Sequence, residues 1–310
     1  MHQGPVKLGI GAIVSAAVLA VIGTASAGDV GHARRPSGPT ATRTDWTPVG
    51  NAIGVQGKLQ PDGVYKVGLP RSDLNVKLDG VRLKPSFALG SYLSFMSTSS
   101  GALMMGDLVL TEREIEPVML KLEQGGIEVS ALHNHLFGEK PTVMYMHVMG
   151  SGDPVKLATA AHAALKLSRT PLHGSKPKAS DSKVALDTAA LDSTIGVAGK
   201  VDGGVYKLSI APKYAVQENG MTMPGSMGTT TAFAFQPLGH ARAAVTGDFA
   251  LLANQVNPVV RALRSSGIMV TALHSHMLGA QPTTFFMHFF ATGNAVTLAK
   301  GLRAGLDAMK

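Results

Sequence analysis

The sequence predicts an α+β fold made of two tandem homologous units, each a mostly antiparallel sheet with two helices in the order strands-α-β-β-α. Two observations lead to this prediction. A thirteen-residue block is written twice, as GIEVSALHNHLFG from Gly126 and as GIMVTALHSHMLG from Gly267, with eight identical positions. Around each copy, strand-like alternation of apolar residues gives way to helical spacing and then returns. A duplicated block of this kind indicates one structural unit used twice.

The similarity extends well beyond this block. The offset of 141 residues between His133 and His274 also pairs Gly106-Asp107 with Gly247-Asp248, and upstream IGVQGKL matches IGVAGKV. A segment rich in Pro, Gly, Lys and Ser separates the two copies and has the composition of a linker. The predicted organisation is a signal peptide at 1–27, a spacer at 28–45, repeat unit one at 46–168, a linker at 169–189 and repeat unit two at 190–310.

Each unit is predicted to begin with strands. IGVQGKL and VYKVGL flank a Pro-Asp-Gly turn, and YLSFMS and ALMMGDLVL follow as further strands. A helix is predicted over TEREIEPVMLKLEQGG, because Ile115, Val118 and Leu122 lie at the spacing of one helical face. Two more strands, IEVSALHNHLF and TVMYMHVMG, are joined through Gly138–Pro141. The last helix is predicted to begin at Asp153-Pro154, which suits a helix cap and first turn.

The first 27 residues are predicted to be an export signal. Lys7 precedes the apolar run Leu8–Gly23, and Ala25-Ser26-Ala27 has the small-x-small form of a cleavage site. The alternative is an uncleaved membrane anchor, because the run is long for a signal. Residues 28–45 are expected to be a disordered spacer. The mature chain is therefore expected to be secreted or extracytoplasmic, associated with the envelope, and without a transmembrane span.

Composition narrows the chemistry and the partners. The absence of cysteine excludes disulfides, thiolate ligands and lipid attachment to a cysteine. A net charge of +8 favours an acidic partner, which outside the cytoplasm means an anionic envelope polymer or a lipid headgroup. Aromatic residues make up 5% and the basic residues are scattered, so no nucleic-acid partner is expected.

Each unit carries three histidines in the pattern His-x-His followed by a later Met-His. They are His133, His135 and His147 in unit one and His274, His276 and His288 in unit two. Residues two apart on a strand face the same side. A turn centred on Gly138–Pro141 would place His147 directly opposite His133. Each trio is therefore predicted to share one sheet face and to form a site of its own.

Three neutral imidazoles with an open fourth position match the ligand set of a catalytic zinc site. The sequence thus predicts a divalent metal in each unit, with zinc favoured over a His/Met copper site. Glu139 follows His135 and is a candidate fourth ligand or general base, but Ala280 at the same place in unit two makes the sites unequal. Asp107 and Asp248 are candidates for carboxylates that orient a histidine, with a turn role as the alternative.

Other interpretations of these residues stay open. The trios can form a polar ligand pocket without metal, or a structural network inherited when the unit duplicated. Arg71 and Lys213 each follow a proline and are candidates to contact an anionic ligand, with a solvated loop charge as the alternative.

The repeated segments resemble a known family. ALHNHLFGEKPTVMYMH and ALHSHMLGAQPTTFFMH, with the GD dipeptides and the final helices, are similar to the LppY/LpqO family of bacterial exported proteins and lipoproteins. The resemblance covers both units and implies export and the tandem repeat, but no activity. The missing cysteine departs from the lipoprotein members, so lipid anchoring is not implied.

Three classes of function therefore remain, and the sequence does not decide whether the protein is an enzyme. The first is an exported metal-binding protein that acts as a hydrolase on an envelope component. The second is a non-catalytic binding module for an anionic cell-surface ligand. The third is a structural envelope protein in which the histidines only pack.

Overall fold

Two six-stranded antiparallel sheets, one from each repeat, dominate the fold. A computed structural model describes residues 44–172 and 183–310. The predicted signal peptide, the spacer up to residue 43 and the linker residues 173–182 lie outside the described residues. The prediction of an α+β protein with two tandem, mostly antiparallel units is confirmed. The first repeat denotes residues 46–168 below, and the second repeat residues 190–310.

The helices and strands of the first repeat follow an order that is closely matched in the second repeat. In chain order they are α1 (Thr47–Ile53), β1 (Lys58–Leu59), β2 (Tyr65–Pro70), β3 (Lys77–Leu78), β4 (Val81–Arg82), α2 (Pro85–Ala88), β5 (Gly90–Thr98), β6 (Gly101–Thr111), α3 (Glu112–Gln124), β7 (Glu128–His133), β8 (Val143–Gly152) and α4 (Pro154–Leu165). Its sheet has the strand order β1-β2-β5-β6-β8-β7.

The second repeat has a 3₁₀ helix, Gly225–Met227, in the place of α2. Its other elements are α5 (Thr188–Ile195), β9 (Lys200–Asp202), β10 (Val205–Ile210), β11 (Gln217–Glu218), β12 (Met221–Thr222), β13 (Thr231–Gly239), β14 (Arg242–Leu251), α6 (Ala253–Ser265), β15 (Met269–His274), β16 (Phe285–Asn294) and α7 (Ala295–Asp307). Its sheet has the matching order β9-β10-β13-β14-β16-β15.

Side-chain alternation along β6 shows how the layers are arranged. Met104 and Leu108 are buried on the side of the sheet that α1, α3 and α4 cover. Leu103, Met105 and Val109 point to the other side, where they join apolar clusters that include residues of the second repeat. The two sheets therefore face each other and the helices lie outside, so the inner faces meet between the repeats.

The hairpin β7–β8 differs from the predicted register. The strand ends at His133, and nine residues separate it from β8. Lys140 pairs with Lys77 instead of closing a tight turn. As a result Ala131, and not His133, lies opposite His147, so the predicted direct opposition was wrong. The register is displaced by two residues, which leaves both histidines on the same face.

Short helices at the start of each repeat were not predicted. The sequence analysis takes IGVQGKL as a strand, but only Lys58–Leu59 pairs with a neighbouring strand. Val49 and Ile53, one helical turn apart, are buried against the core of the first repeat, which favours α1 instead.

Side chains also join the two repeats by hydrogen bonds. Ser130 Oγ donates to the His276 carbonyl oxygen at 2.6 Å, and Asn134 Nδ2 donates to the Thr271 carbonyl oxygen at 3.1 Å. Both bonds lie beside the histidine segments, so these segments are fixed against each other. Across the described ranges, no helix has the length and apolarity that a membrane span needs.

Candidate metal centre

All six predicted histidines lie on the inner faces of the sheets or in the connections that follow. His133 is the last residue of β7, and His147 lies within β8 opposite Asp107 of β6. His135 lies beyond the end of its strand, in the connection to β8. The second repeat places its own three in the same way, with His288 opposite Asp248. Strand parity therefore brings these groups to one layer of the molecule.

Each trio is close together. In the first repeat the ring centroid of His133 lies 5.0 Å from that of His135 and 5.1 Å from that of His147. In the second repeat His274 lies 4.9 Å from His276 and 4.9 Å from His288. These are distances at which one ion can lie between neighbouring rings.

The contacts between the trios are closer still. His133 stacks on His274 with centroids 3.5 Å apart. The other contacts are crossed: His135 lies 3.6 Å from His288, and its counterpart His276 lies 4.0 Å from His147. These contacts are those expected when a pseudo-twofold axis that passes between His133 and His274 relates the two repeats. The six residues, termed the histidine cluster below, form one site shared by both repeats and not the two separate sites that the sequence predicts.

The ring nitrogens of three histidines in the cluster have the hydrogen-bonding pattern of metal ligands. Nδ1 of His133, His276 and His288 lies 2.9, 2.8 and 3.0 Å from the backbone carbonyl oxygens of Asn134, Gly228 and Gly247. Donation from Nδ1 leaves Nε2 with a free lone pair. Nε2 of every one of the six histidines is buried and has no hydrogen-bond partner among the described residues.

Burial favours the neutral form of five of these imidazoles, those of His133, His135, His147, His274 and His276. It lowers the pKa of His133 and of His276 to about 4. The same cause lowers the pKa of His135, His147 and His274 below its ordinary value. The neutral imidazole is the form that binds a metal.

Three overlapping groups of side chains can each hold one ion, since their ligand atoms lie within 4.8 Å of one another. Two of them draw on both repeats. The groups are His133, His147 and His274; His133, His135 and His288; and Asp107, His135 and His147. Because His133 belongs to two groups, the cluster suits one or two ions bound between the sheets.

The two aspartates occupy different positions in the cluster. Asp107 Oδ2 lies 3.9 Å from His135 Nε2, on the side of the ligand atoms. Asp248 Oδ1 lies 2.9 Å from His288 Nδ1, behind the ring. Burial, reinforced by the charge of Asp248, raises the pKa of Asp107 well above its usual value. Burial also acts to raise the pKa of Asp248, but His288 outweighs it and the pKa is lowered.

Asp248 therefore lies against the imidazole of His288, whose Nδ1 bonds the Gly247 carbonyl oxygen, and Asp248 Oδ1 has no hydrogen-bond partner among the described residues. Asp107 lies on the side of the ligand atoms. Neither residue is in a turn, since both lie within long central strands.

Glu139, the predicted ligand or base, lies in the connection between β7 and β8. Among the described residues it belongs to none of the groups that can hold an ion. Since Lys77 pairs with Lys140, Leu78 of β3 lies opposite Glu139, which is buried.

In the second repeat the acidic and the apolar residue of this contact exchange places. Gln217 pairs with Gln281, which places Glu218 of β11 opposite Ala280. Glu218 Oε1 accepts the Gly279 amide at 3.1 Å, and its Oε2 has no partner in the part of the chain that is described, as is true of Glu139 Oε1. Each repeat thus keeps one buried carboxylate between its two-stranded arm, β3–β4 or β11–β12, and the connection that follows its His-x-His segment, termed the histidine connection. Ala280 hid this equivalence from sequence alignment of the repeats.

Arg71 does not face a ligand. Its side chain is fully buried, and it bonds Glu114 at 2.8 Å, Asp73 at 2.9 Å and the Val109 carbonyl oxygen. Its role is to tie the end of β2 to α3. Lys213 is exposed in a loop of the second repeat. The shared Pro-cation pattern therefore places one cation in a buried ion-pair network and the other on the surface.

The methionines near the histidines pack with apolar residues. Met105, Met149, Met223, Met227 and Met277 are buried in one cluster between the repeats. That cluster also contains Phe286 and Leu103, which indicates gap-filling in a core.

An open cavity of about 810 Å³ reaches one side of the histidine cluster. His135, His288, Asp107 and Asp248 line its inner end, and Tyr145 lies beside them. Sequence analysis did not find this cavity, because both repeats contribute to its walls.

The fold and the cluster together define a class of tandem-repeat α+β protein whose repeats face each other across shared histidines. The chain belongs to the family described as Domain of Unknown Function (DUF1259), whose model matches residues 47–167 and again residues 189–308.

No curated protein matches the sequence. Among solved structures, the chain is similar to a trimeric bacterial microcompartment shell protein, PduB, with 13% identity, 82% of this chain and 90% of that chain covered, and a TM-score of 0.22. It is also similar to EtuB from Clostridium kluyveri, with 10% identity, 81% and 88% covered, and a TM-score of 0.22. TM-scores this low carry no argument about function.

Proposed function

We propose that the protein binds a divalent metal, zinc in the first place, through the histidine cluster that its two repeats share. One observation carries the proposal: six imidazoles whose Nε2 atoms are buried and have no hydrogen-bond partner among the described residues. Buried polar atoms are nearly always paired, and an unpaired one costs about 1–3 kcal/mol. A network of histidines that only packs would leave all six atoms unsatisfied. Nitrogen and carboxylate ligands without sulfur favour zinc over copper.

Metal content of the purified, untagged protein tests this proposal. Elemental analysis and zinc calorimetry are compared for the wild type, His147→Ala and a control, His240→Asn. His240 is exposed in a turn with a φ of 49°, a conformation that asparagine also adopts. We expect His147→Ala to weaken zinc binding about tenfold or more and the control to match the wild type. Equal, weak uptake by all three proteins would leave the structural interpretation standing.

The cavity supports a hydrolytic role for this centre. A bound zinc ion lowers the pKa of its water to about 7 and so supplies a nucleophile. Asp107, on the side of the ligand atoms, would then accept a proton from the bound water, and Asp248 lies beside the ring of His288. We expect the zinc-loaded protein to hydrolyse a chromogenic ester, and Asp107→Asn to lower the rate about 100-fold. An unchanged rate would favour a binding module, provided that zinc content measured alongside stays the same.

The place of action that we propose is the cell envelope. The support is the order of basic residue, apolar run and Ala25-Ser26-Ala27 in the sequence, together with the resemblance to LppY/LpqO exported proteins. N-terminal sequencing of protein from the envelope or medium should give a start at Gly28. Recovery of intact Met1 in the cytosol would contradict export.

A further inference from the structure

Lysines lie directly opposite each other at the same place in both repeats. Lys58 pairs with Lys66 between β1 and β2, and Lys200 pairs with Lys207 between β9 and β10. Like charges in such cross-strand positions repel and destabilise a sheet. The arrangement nevertheless occurs twice, within the matching segments GKL and GVYK of one repeat and GKV and GVYK of the other. A ligand that needs the positive charge would account for it.

Three of these four lysines open onto the cavity that reaches the histidine cluster. Lys66, Lys200 and Lys207 line its walls together with Asp62 and Asp202, so both sheets contribute cations to a lining that also holds carboxylates. His135 and Asp107 line the same cavity. A molecule bound by the lysines would therefore lie next to the groups proposed to hold the metal.

The three cations are held differently. Lys207 Nζ forms an ion pair with Asp202 at 2.7 Å, and both side chains are exposed. Lys66 Nζ lies 3.6 Å from the centre of the Tyr92 ring and is partly buried. Burial lowers the pKa of Lys66 to about 8, against the opposing charge of Asp107, so the ammonium stays mostly protonated at neutral pH. Of the three lysines, Lys66 is therefore the one whose environment, partly buried and against an aromatic ring, is most typical of a ligand-binding residue.

Building on the proposed metal centre, we propose that this cavity binds the phosphate group of the substrate, with Lys66 as its principal cation and Lys200 as the second, while Lys207 stays paired with Asp202. Lysine binds phosphate as a point charge. A phosphate dianion needs several cations, whereas a single carboxylate is matched by one. The substrate class is then a phosphoester, with its ester bond towards His135 and Asp107.

The test uses the full chain and inorganic phosphate as the probe. Calorimetry is run on the zinc-loaded and the chelator-treated wild type, on Lys66→Met, on Lys66→Arg and on a control, Lys300→Met. Lys300 is exposed on α7 and does not line the cavity, and its substitution removes the same charge. We expect phosphate affinity to fall about tenfold or more in Lys66→Met, to be largely retained in Lys66→Arg, and to be unchanged in the control.

Equal phosphate affinity in Lys66→Met and the wild type would overturn the proposal, provided that circular dichroism shows both folded. Binding that disappears with chelator but survives the loss of Lys66 would place phosphate on the metal alone and would also overturn it. Zinc titration of the same samples reports on the centre separately. If zinc fails to bind while phosphate still depends on Lys66, the metal proposal is wrong and the anion site stands.

Two sources of the phosphate group can be told apart in the same series. Vesicles of phosphatidylcholine with and without phosphatidic acid are compared with inorganic phosphate. Lys66-dependent binding to the phosphatidic acid vesicles assigns the group to a lipid headgroup. Lys66-dependent binding of inorganic phosphate without vesicle binding assigns it to a soluble phosphoester. Binding of neither overturns the proposal.

Discussion

Stacking of His133 on His274 at 3.5 Å makes these two residues one structural feature, although they belong to different repeats. We therefore expect His133→Ala and His274→Ala each to weaken zinc binding by the whole centre about tenfold or more. The double variant should be little worse than either single one, because both remove the same centre. Zinc calorimetry measures this. Loss of one independent site in each single variant, with additive effects in the double, would contradict a shared centre.

The buried ion pair of Arg71 and Glu114 gives a second prediction at the residue scale. Burial acts to raise the pKa of Glu114, but the hydrogen bonds from Arg71 and from the amides of Thr111 and Arg169 outweigh it and lower the pKa. A lowered native pKa stabilises the fold above the unfolded value and loses this effect as the pH falls through the native value.

The free energy of unfolding should therefore fall more steeply between about pH 5 and about pH 3 in the wild type than in Glu114→Gln. Urea unfolding at several pH values checks this. Glu116→Gln, which removes an exposed carboxylate from the same helix, should keep the steep fall. Identical pH profiles for the wild type and Glu114→Gln would contradict the prediction.

At this scale the sequence locates the histidines but not their partners. Strand parity is a local rule, so it places His133 and His147 on one face even when the register differs by two residues. The contact of His135 with His288 depends on how two sheets meet, which no spacing within one repeat encodes. The ion pair of Arg71 cannot be predicted locally for the same reason, because its partner Glu114 is 43 residues away.

At the scale of elements, the arms β3–β4 and β11–β12 matter most, because each is placed against a histidine connection. In the first repeat Leu78 of the arm lies opposite Glu139, and in the second Glu218 of the arm lies opposite Ala280. Local patterns predict the long helices α3 and α4 well. They do not predict the arms, because a two-residue strand has no periodicity and is formed by tertiary pairing.

The exchange of acidic and apolar residues between Leu78/Glu139 and Glu218/Ala280 leads to a prediction about these arms. Glu139→Ala should lower the free energy of unfolding by about 1–3 kcal/mol, because it removes a buried side chain. Leu78→Glu should do so too, because it places a second carboxylate beside Glu139. The double variant Leu78→Glu/Glu139→Ala copies the second repeat and should recover most of the loss, as chemical denaturation can show. Strictly additive losses would mean that the two arms are not equivalent.

At the scale of the whole molecule, the two repeats depend on each other. The inner face of each sheet is covered by the other, through Val109 and Tyr145 on one side and Val205 and Phe290 on the other. A single repeat would expose this apolar face and half of the histidine cluster to water. Duplication therefore gave the chain a site that neither copy has alone, with two histidines near the pseudo-twofold axis and two crossed pairs around it.

Two separate chains, residues 44–172 and residues 183–310, should therefore associate when they are co-expressed. We expect a 1:1 complex that binds zinc as the intact protein does, because the ligands come from both halves and the buried contacts do not require a peptide link. Size-exclusion chromatography with light scattering gives the stoichiometry, and calorimetry gives the zinc affinity. Each half expressed alone should aggregate or self-associate, since burial of apolar area is the main favourable term in such an interface. A stable monomer of either half with its own tight zinc site would show that the repeats are independent domains and that the crossed histidine pairs do not form the centre.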